Sequence, residues 1–221
     1  MNCTFIGHSA FLLESEELMM LFDHTEGRLS LPSEEKPLVV FASHRHADHW
    51  NRLTLDFAKR KGKTIFVLSD DIPASVIPDD LIVEWVKPHQ KVTVEGIDIQ
   101  TLRSTDEGVA FIITHAEQTI YYAGDLNYWH WEGESDEYNE AMGVAYRSEM
   151  KRLPSHLDLA FVPVDPRLGS FYSLGVKTLL GYTTVGTLVP MHFWGDGSVC
   201  SRLEDELVEF TGQVVHLDES P

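Results

Sequence analysis

The sequence predicts an α/β (α+β) protein built on two packed β-sheets with helices outside them. Three observations carry that prediction. Short strand-like runs broken by turn residues fill the first half of the chain. Continuously apolar, β-branched runs such as "PLVVFAS", "KTIFVLS" and "LDLAFVPV" recur, and such runs suit strands buried on both faces. Both halves also share one organisation, strands followed by strand–helix units, which two sheets with outer helices satisfy within one domain.

Taken in order, "CTFIG", "AFLLES" and "LMMLFD" have strand length with turn-like breaks between them. "PLVVFAS" is a buried strand. "NRLTLDFAKRKG" follows as a helix with Leu53, Leu55 and Phe57 on one face and Gly62 past its end. "KTIFVLS" is again a strand, and "DIPASVIP" a short helix or turn. "LIVEWV", "QKVTVEG" and "IDIQTLRS" continue as strands, the last two joined by a hairpin at "VEGID". "VAFIITH" and "TIYYAG" form another hairpin. An acidic helical segment covers about 132–154, with Tyr138, Met142, Ala145 and Met150 at helical spacing and Pro154 closing it. "LDLAFVPV" and "TLVPMHF" are strands, "SLGVKTLLGYTTVG" and "SRLEDELVEFTG" helices, and "QVVHL" a last strand.

The 221 residues suffice for a substantial core and are read as a single domain, 1–221. Seventeen basic against 35 acidic residues give a net charge of -18, which repels phosphate backbones, so no nucleic-acid partner is expected. No apolar run reaches the roughly 20 residues of a membrane span, and no membrane partner is expected. The first residues lack the pattern of a signal peptide. Cys3 and Cys200, the two cysteines, form no framework and are expected as buried thiols in a reducing, cytoplasmic setting.

The chemistry concentrates in "FASHRHADHWN", residues 41–51. In an extended segment side chains at i and i+2 point the same way, so His44 and His46 project together from the end of "PLVVFAS". A turn through Asp48 and His49 aims that pair at a neighbouring point. Imidazole and carboxylate suit zinc, and also manganese or iron. One short peptide thus offers ligands to two adjacent metal positions. Asp125 follows the β-rich "IYYAG", where a buried carboxylate needs a partner. His192 lies in a strand between Met191 and Phe193, and by itself reads as a core histidine.

"SHRHADH" resembles the HxHxDH signature of the metallo-β-lactamase superfamily. The resemblance runs along the whole chain. "FIGHSAFLLE" is similar to the opening strands of its ascorbate-phosphate-lactonase-like branch. "LMMLFD" resembles a strand ending in an aspartate at the edge of the metal site, here Asp23. "TIYYAGDLN" resembles the strand bearing a metal-bridging aspartate, here Asp125, and "TLVPMHF" the strand bearing the last histidine ligand, here His192. The resemblance implies a four-layer αββα sandwich with the metals at one edge of the sheets. It implies a metal set of His44, His46, Asp48, His49, Asp125 and His192. It also implies hydrolysis by water activated on one or two divalent ions, zinc first, with manganese or iron as alternatives.

One ligand of the family pattern is missing. Where a further histidine is expected, the chain reads "LRSTDEGVAFII", and Ser104 falls on the position. Asp106 or Ser104 takes over, or His8 or His130 fills in, or only one metal binds firmly, at Asp48, His49, Asp125 and His192. A single firm metal or an unequal pair is favoured over a symmetrical pair. Asp48 is expected to orient the water or accept its proton, with His8 a wall of the site. Trp50, Trp129, Trp131, Phe193 and Trp194 are candidates for an apolar pocket wall, against ordinary packing for each. Arg167 is a candidate for an anionic substrate group, against a turn salt bridge. The expected substrate is a small ester, lactone or phosphoester. A phosphodiester, or a domain that binds metal without catalysis, are the alternatives, and an oligomer stays open.

Overall fold

The computed structural model describes residues 1–25 and 29–217. The chain forms two compact units, Met1–Lys87 and Pro88–Pro221, each with its own sheet.

In the first unit β1 (Asn2–Gly7), β2 (Ala10–Glu14) and β3 (Met19–Phe22) pair antiparallel. Then β4 (Leu38–Ala42), β5 (Thr64–Ser69) and β6 (Val83–Val86) extend the sheet in parallel, giving the order β1-β2-β3-β4-β5-β6. All residues of β4 and β5 are buried, as their unbroken apolar runs require. Leu12, Met19, Leu21, Leu38, Val40, Phe66 and Leu68 build the core, and Trp50 joins it. The expected helix after β4 is a 3-10 helix, Arg52–Lys59, capped by the Asn51 side chain, which accepts from Leu53 N–H at 2.8 Å. With three residues per turn, Thr54, Leu55, Phe57 and Ala58 turn inward, while Leu53, expected on that face, is 60% exposed.

In the second unit β7 (Lys91–Val94), β8 (Ile97–Arg103), β9 (Val109–His115) and β10 (Gln118–Tyr122) form an antiparallel meander. Parallel strands β11 (His156–Pro163), β12 (Thr184–Met191) and β13 (Gln213–Val214) follow, in the order β13-β12-β11-β10-β9-β8-β7. The β7–β8 hairpin closes through Glu95 and Gly96, both left-handed at φ +49° and +75°, the geometry a two-residue hairpin turn requires.

The acidic segment contains α1 (Asp136–Met150), whose N-cap Ser135 accepts from Tyr138 N–H. Its buried residues are Asn139, Gly143, Tyr146, Glu149 and Met150: Met150 is buried as expected, while Asn139, Gly143 and Tyr146 each lie one residue after the expected Tyr138, Met142 and Ala145. The reason is Gly143: a side chain there would collide with the Tyr128 hydroxyl, so the closest approach of the helix runs through the residue without one. Two further helices, α2 (Leu174–Leu180) and α3 (Ser198–Glu206), follow. Cys200 is buried as expected, but Cys3 is exposed on the edge strand β1. Among the described residues no helix is long and apolar enough to cross a membrane.

Candidate metal centre

The candidate ligands of the first unit hang from the C-terminal ends of β3 and β4. Parallel register places Phe22 opposite Phe41, and Asp23 N–H donates to Phe41 O at 3.0 Å, so Asp23 emerges beside the loop that begins at Ser43. Asp23, Ser43, His44 and His49 are all buried. The Asp23 carboxylate accepts from Ser43 N–H (2.8 Å), Ser43 Oγ–H (2.6 Å) and His49 Nδ1–H (2.7 Å).

This wiring dictates the tautomers. An ionised carboxylate only accepts, so His49 carries a proton on Nδ1 and, as a neutral ring, presents a lone pair at Nε2. The Ser43 hydroxyl gives its one hydrogen to Asp23. It therefore accepts from His44 Nδ1–H at 3.0 Å, and His44 also presents Nε2. His44 Nε2 and His46 Nδ1 stand 3.1 Å apart. Two nitrogens bound to one ion at about 2.1 Å lie roughly 3.0–3.4 Å apart at octahedral or tetrahedral angles, so this pair fits two ligands of one cation.

His8, Asp48 and His49 make a further group, each offering a ligand atom within 4.8 Å of the others. His8 Nε2 lies 3.4 Å and His49 Nε2 3.9 Å from Asp48 Oδ2. His8 is thus placed at Asp48. The loop folds back on itself because His49 and Trp50 N–H both donate to His46 O. His8 (φ +47°) and Asp23 (φ +41°) are held left-handed, a costly conformation for residues other than glycine.

The second unit repeats the device. Asp125, buried, follows β10 through Gly124 at φ +50°, and its carbonyl accepts from the Trp129 indole N–H at 2.9 Å. His192 ends β12 at φ +61°, with Nε2 3.5 Å from Asp125 Oδ1. Its Nδ1 meets Asp165 Oδ2 at 3.1 Å, so the same logic presents Nε2. Burial pushes the Asp165 carboxyl up, but hydrogen bonds from His192 and Arg167 outweigh it and hold it at about 2.

The loop that lacks the expected histidine is firmly placed. Thr105 Oγ1–H donates to Asn127 O at 2.6 Å and accepts from Asn127 N–H at 3.1 Å. Ser104 Oγ accepts from Asp106 N–H at 3.1 Å. The Asp106 and Asp125 carboxylates come within 4.8 Å of each other. Ser104 thus helps shape the turn that brings the Asp106 carboxylate to that of Asp125. His130 stacks on Phe171 with ring centroids 3.8 Å apart.

Arg167 forks onto Asp165, with Nε 2.9 Å from both carboxylate oxygens. Of the candidate wall aromatics, Trp50 and Phe193 are core residues, whereas Trp194 is 49% exposed. Asp165, which holds the His192 ring, is a site candidate that the sequence analysis did not name. Its signal was available: like Asp23 and Asp125, it lies within three residues of the carboxyl end of an apolar strand.

The sequence matches the Beta-lactamase superfamily domain over residues 2–182, through the boundary of the two units, and the chain belongs to that superfamily. It is 25% identical over 210 residues to a UPF0173 metal-dependent hydrolase of Methanosarcina barkeri, covering 86% of this chain and 82% of that one. A metallo hydrolase of the archaeon Ignicoccus hospitalis aligns at TM-score 0.63 and 17% identity, over 99% of this chain and 95% of that one. CmlA, a diiron β-hydroxylase of Streptomyces venezuelae, aligns at TM-score 0.63 and 11% identity, over 97% of this chain and 52% of its own. At such identities the two structures speak for the fold alone, a mixed α/β fold with two sheets and few helices of the metallo-β-lactamase type.

Proposed function

We infer that the protein is a metal-dependent hydrolase acting on a small-molecule ester, lactone or phosphoester. The ligands assigned to this reading are His44, His46, Asp48, His49, Asp125 and His192. Asp106 takes the place of the missing histidine, and residues 1–221 act as one catalytic domain. The observation that carries this reading is the pair of carboxylate-held imidazoles. Asp23 on His49 and Asp165 on His192 each fix the ring proton at Nδ1 and turn Nε2 outward, the arrangement of metal-bound histidines.

A divalent ion bound there, zinc first with manganese or iron as alternatives, supplies Lewis acidity and lowers the pKa of water from about 15.7 to about 7. The rest of the chemistry belongs to the chain. Asp48, whose side chain is 34% exposed, orients the attacking water and accepts its proton, and His8 beside it steadies that carboxylate. Asp23 and Asp165 keep the ligand rings in one tautomer. Lactones and simple esters are the preferred members of the substrate class, by resemblance to the lactonase-like branch. The net charge of -18 works against long polyanions.

The test is metal analysis together with a panel of chromogenic esters, lactones and phosphoesters. His46→Ala and Asp48→Ala are expected to lose both metal and hydrolysis. Full activity in chelator-stripped protein would sink the reading. Tight metal binding without turnover of any substrate would point instead to a binding module.

A further inference from the structure

Beside His192 stands a feature that metal binding does not require. Trp194 holds a left-handed backbone (φ +52°) and keeps 49% of its surface exposed. Neither is what packing alone would select for the largest side chain. Yet the indole is fixed. Its N–H donates to Asp165 Oδ2 at 3.3 Å, and its ring meets that of His192 edge-on, centroids 5.5 Å apart. The Arg167 guanidinium lies over it at 4.5 Å and reaches the Trp131 ring at 5.8 Å. Trp131 stacks on Trp129 at 6.1 Å with planes 7° apart, and Trp129 is in turn 5.6 Å from His192. The result is a continuous indole–guanidinium–indole layer, tied at both ends to the ligand His192.

Its chemistry selects a class of ligand. The layer carries a cation, but Asp165 already holds it in a fork. An incoming carboxylate or phosphate would meet the Asp165 charge as well as the guanidinium. A flat, preoriented indole instead offers stacking and apolar area, which charge does not improve. We propose that Trp194, backed by Arg167 and Trp131, is a specificity wall beside His192 that receives a planar, uncharged, apolar substrate group such as an aromatic ring. This deepens the hydrolase reading and rests on it for the identity of the ligand as a substrate.

The test compares two esters with one leaving group, p-nitrophenyl phenylacetate and p-nitrophenyl acetate, on the metal-loaded protein, with p-nitrophenyl phosphate as the anionic control. The wild type is expected to favour the phenylacetyl ester in kcat/KM. Trp194→Ala is expected to cut the phenylacetyl-to-acetyl ratio about tenfold, mainly through KM, the size of one well-placed aromatic contact. Trp194→Phe should restore most of it. Metal content, measured in parallel, should not change. An unchanged ratio in Trp194→Ala, or a wild-type preference for the phosphate, overturns the proposal. Calorimetry with the non-hydrolysable ketone phenylacetone separates the two readings. Binding weakened by Trp194→Ala in a protein that turns over no ester keeps the wall and removes the hydrolase. Equal binding by wild type and variant removes the wall.

Discussion

Asp23→Asn tests how the first unit fixes its histidines. The substitution changes one carboxylate oxygen to an NH2 group and little else in shape. The amide oxygen can still accept from Ser43 N–H, which leaves the NH2 where Oδ2 now accepts from both Ser43 Oγ–H and His49 Nδ1–H. Donor then faces donor at His49. The ring relieves this only by moving its proton to Nε2, which removes the lone pair that would face a metal. Losing at least one hydrogen bond to a buried charge should cost about 1.5–3 kcal/mol of stability. Losing the orienting partner of a ligand histidine should weaken metal binding about 10- to 100-fold. Urea unfolding of metal-free protein reads the first effect, and competition with a chromophoric chelator the second. Metal affinity equal to the wild type, in a variant that folds, would refute the tautomer argument. A stability loss without an affinity loss would mean that Asp23 serves the fold alone.

Two further outcomes follow from the loops. Asp106→Ala should lower the metal stoichiometry or weaken the more labile ion, whereas Ser104→Ala should leave metal content near the wild-type value, because Ser104 shapes the turn and Asp106 faces Asp125; the reverse pattern would exchange their roles. At Glu206, desolvation raises the carboxyl pKa, but bonds from Lys177, Tyr172 and Ser173 outweigh it and bring it from 4.5 to about 2. The folded pKa lies below the unfolded one, so its contribution is present above about pH 4.5 and fades as pH falls toward 2. With 37% of the side chain exposed, that contribution is reduced by solvent screening. Glu206→Gln should therefore lower the urea midpoint at pH 7, with the gap to wild type closing in acid; a gap independent of pH would contradict the assignment.

Much of the site was legible because metal chemistry restricts residue type and spacing. His44, His46, Asp48 and His49 lie within six residues, and no ordinary packing rule asks for that pattern. The buried strands were equally plain, since β4 and β5 are apolar at nearly every position. The helical faces were less so. At α1 one glycine against Tyr128 moved the buried stripe by a residue, and after β4 a period of three displaced the expected 3.6. Neither shift leaves a mark in hydrophobic periodicity, because both are set by what packs opposite. His8 and Arg167 show the same limit. Each had two sequence readings, and contacts alone brought the first to Asp48 and showed the second paired with Asp165.

By itself the sequence determined the α/β class, the apolar strands and the identity of the ligand candidates, because these depend on residue type along a short stretch of chain. Only the tertiary structure decided which nitrogen His44, His49 and His192 present, that Asp23 holds His49 and Asp165 holds His192, and that the Asp106 carboxylate comes to that of Asp125. Those facts depend on strand ends and loops brought side by side from residues far apart in sequence. Hydrogen-bond direction and charge pairing do not exist until that register is made.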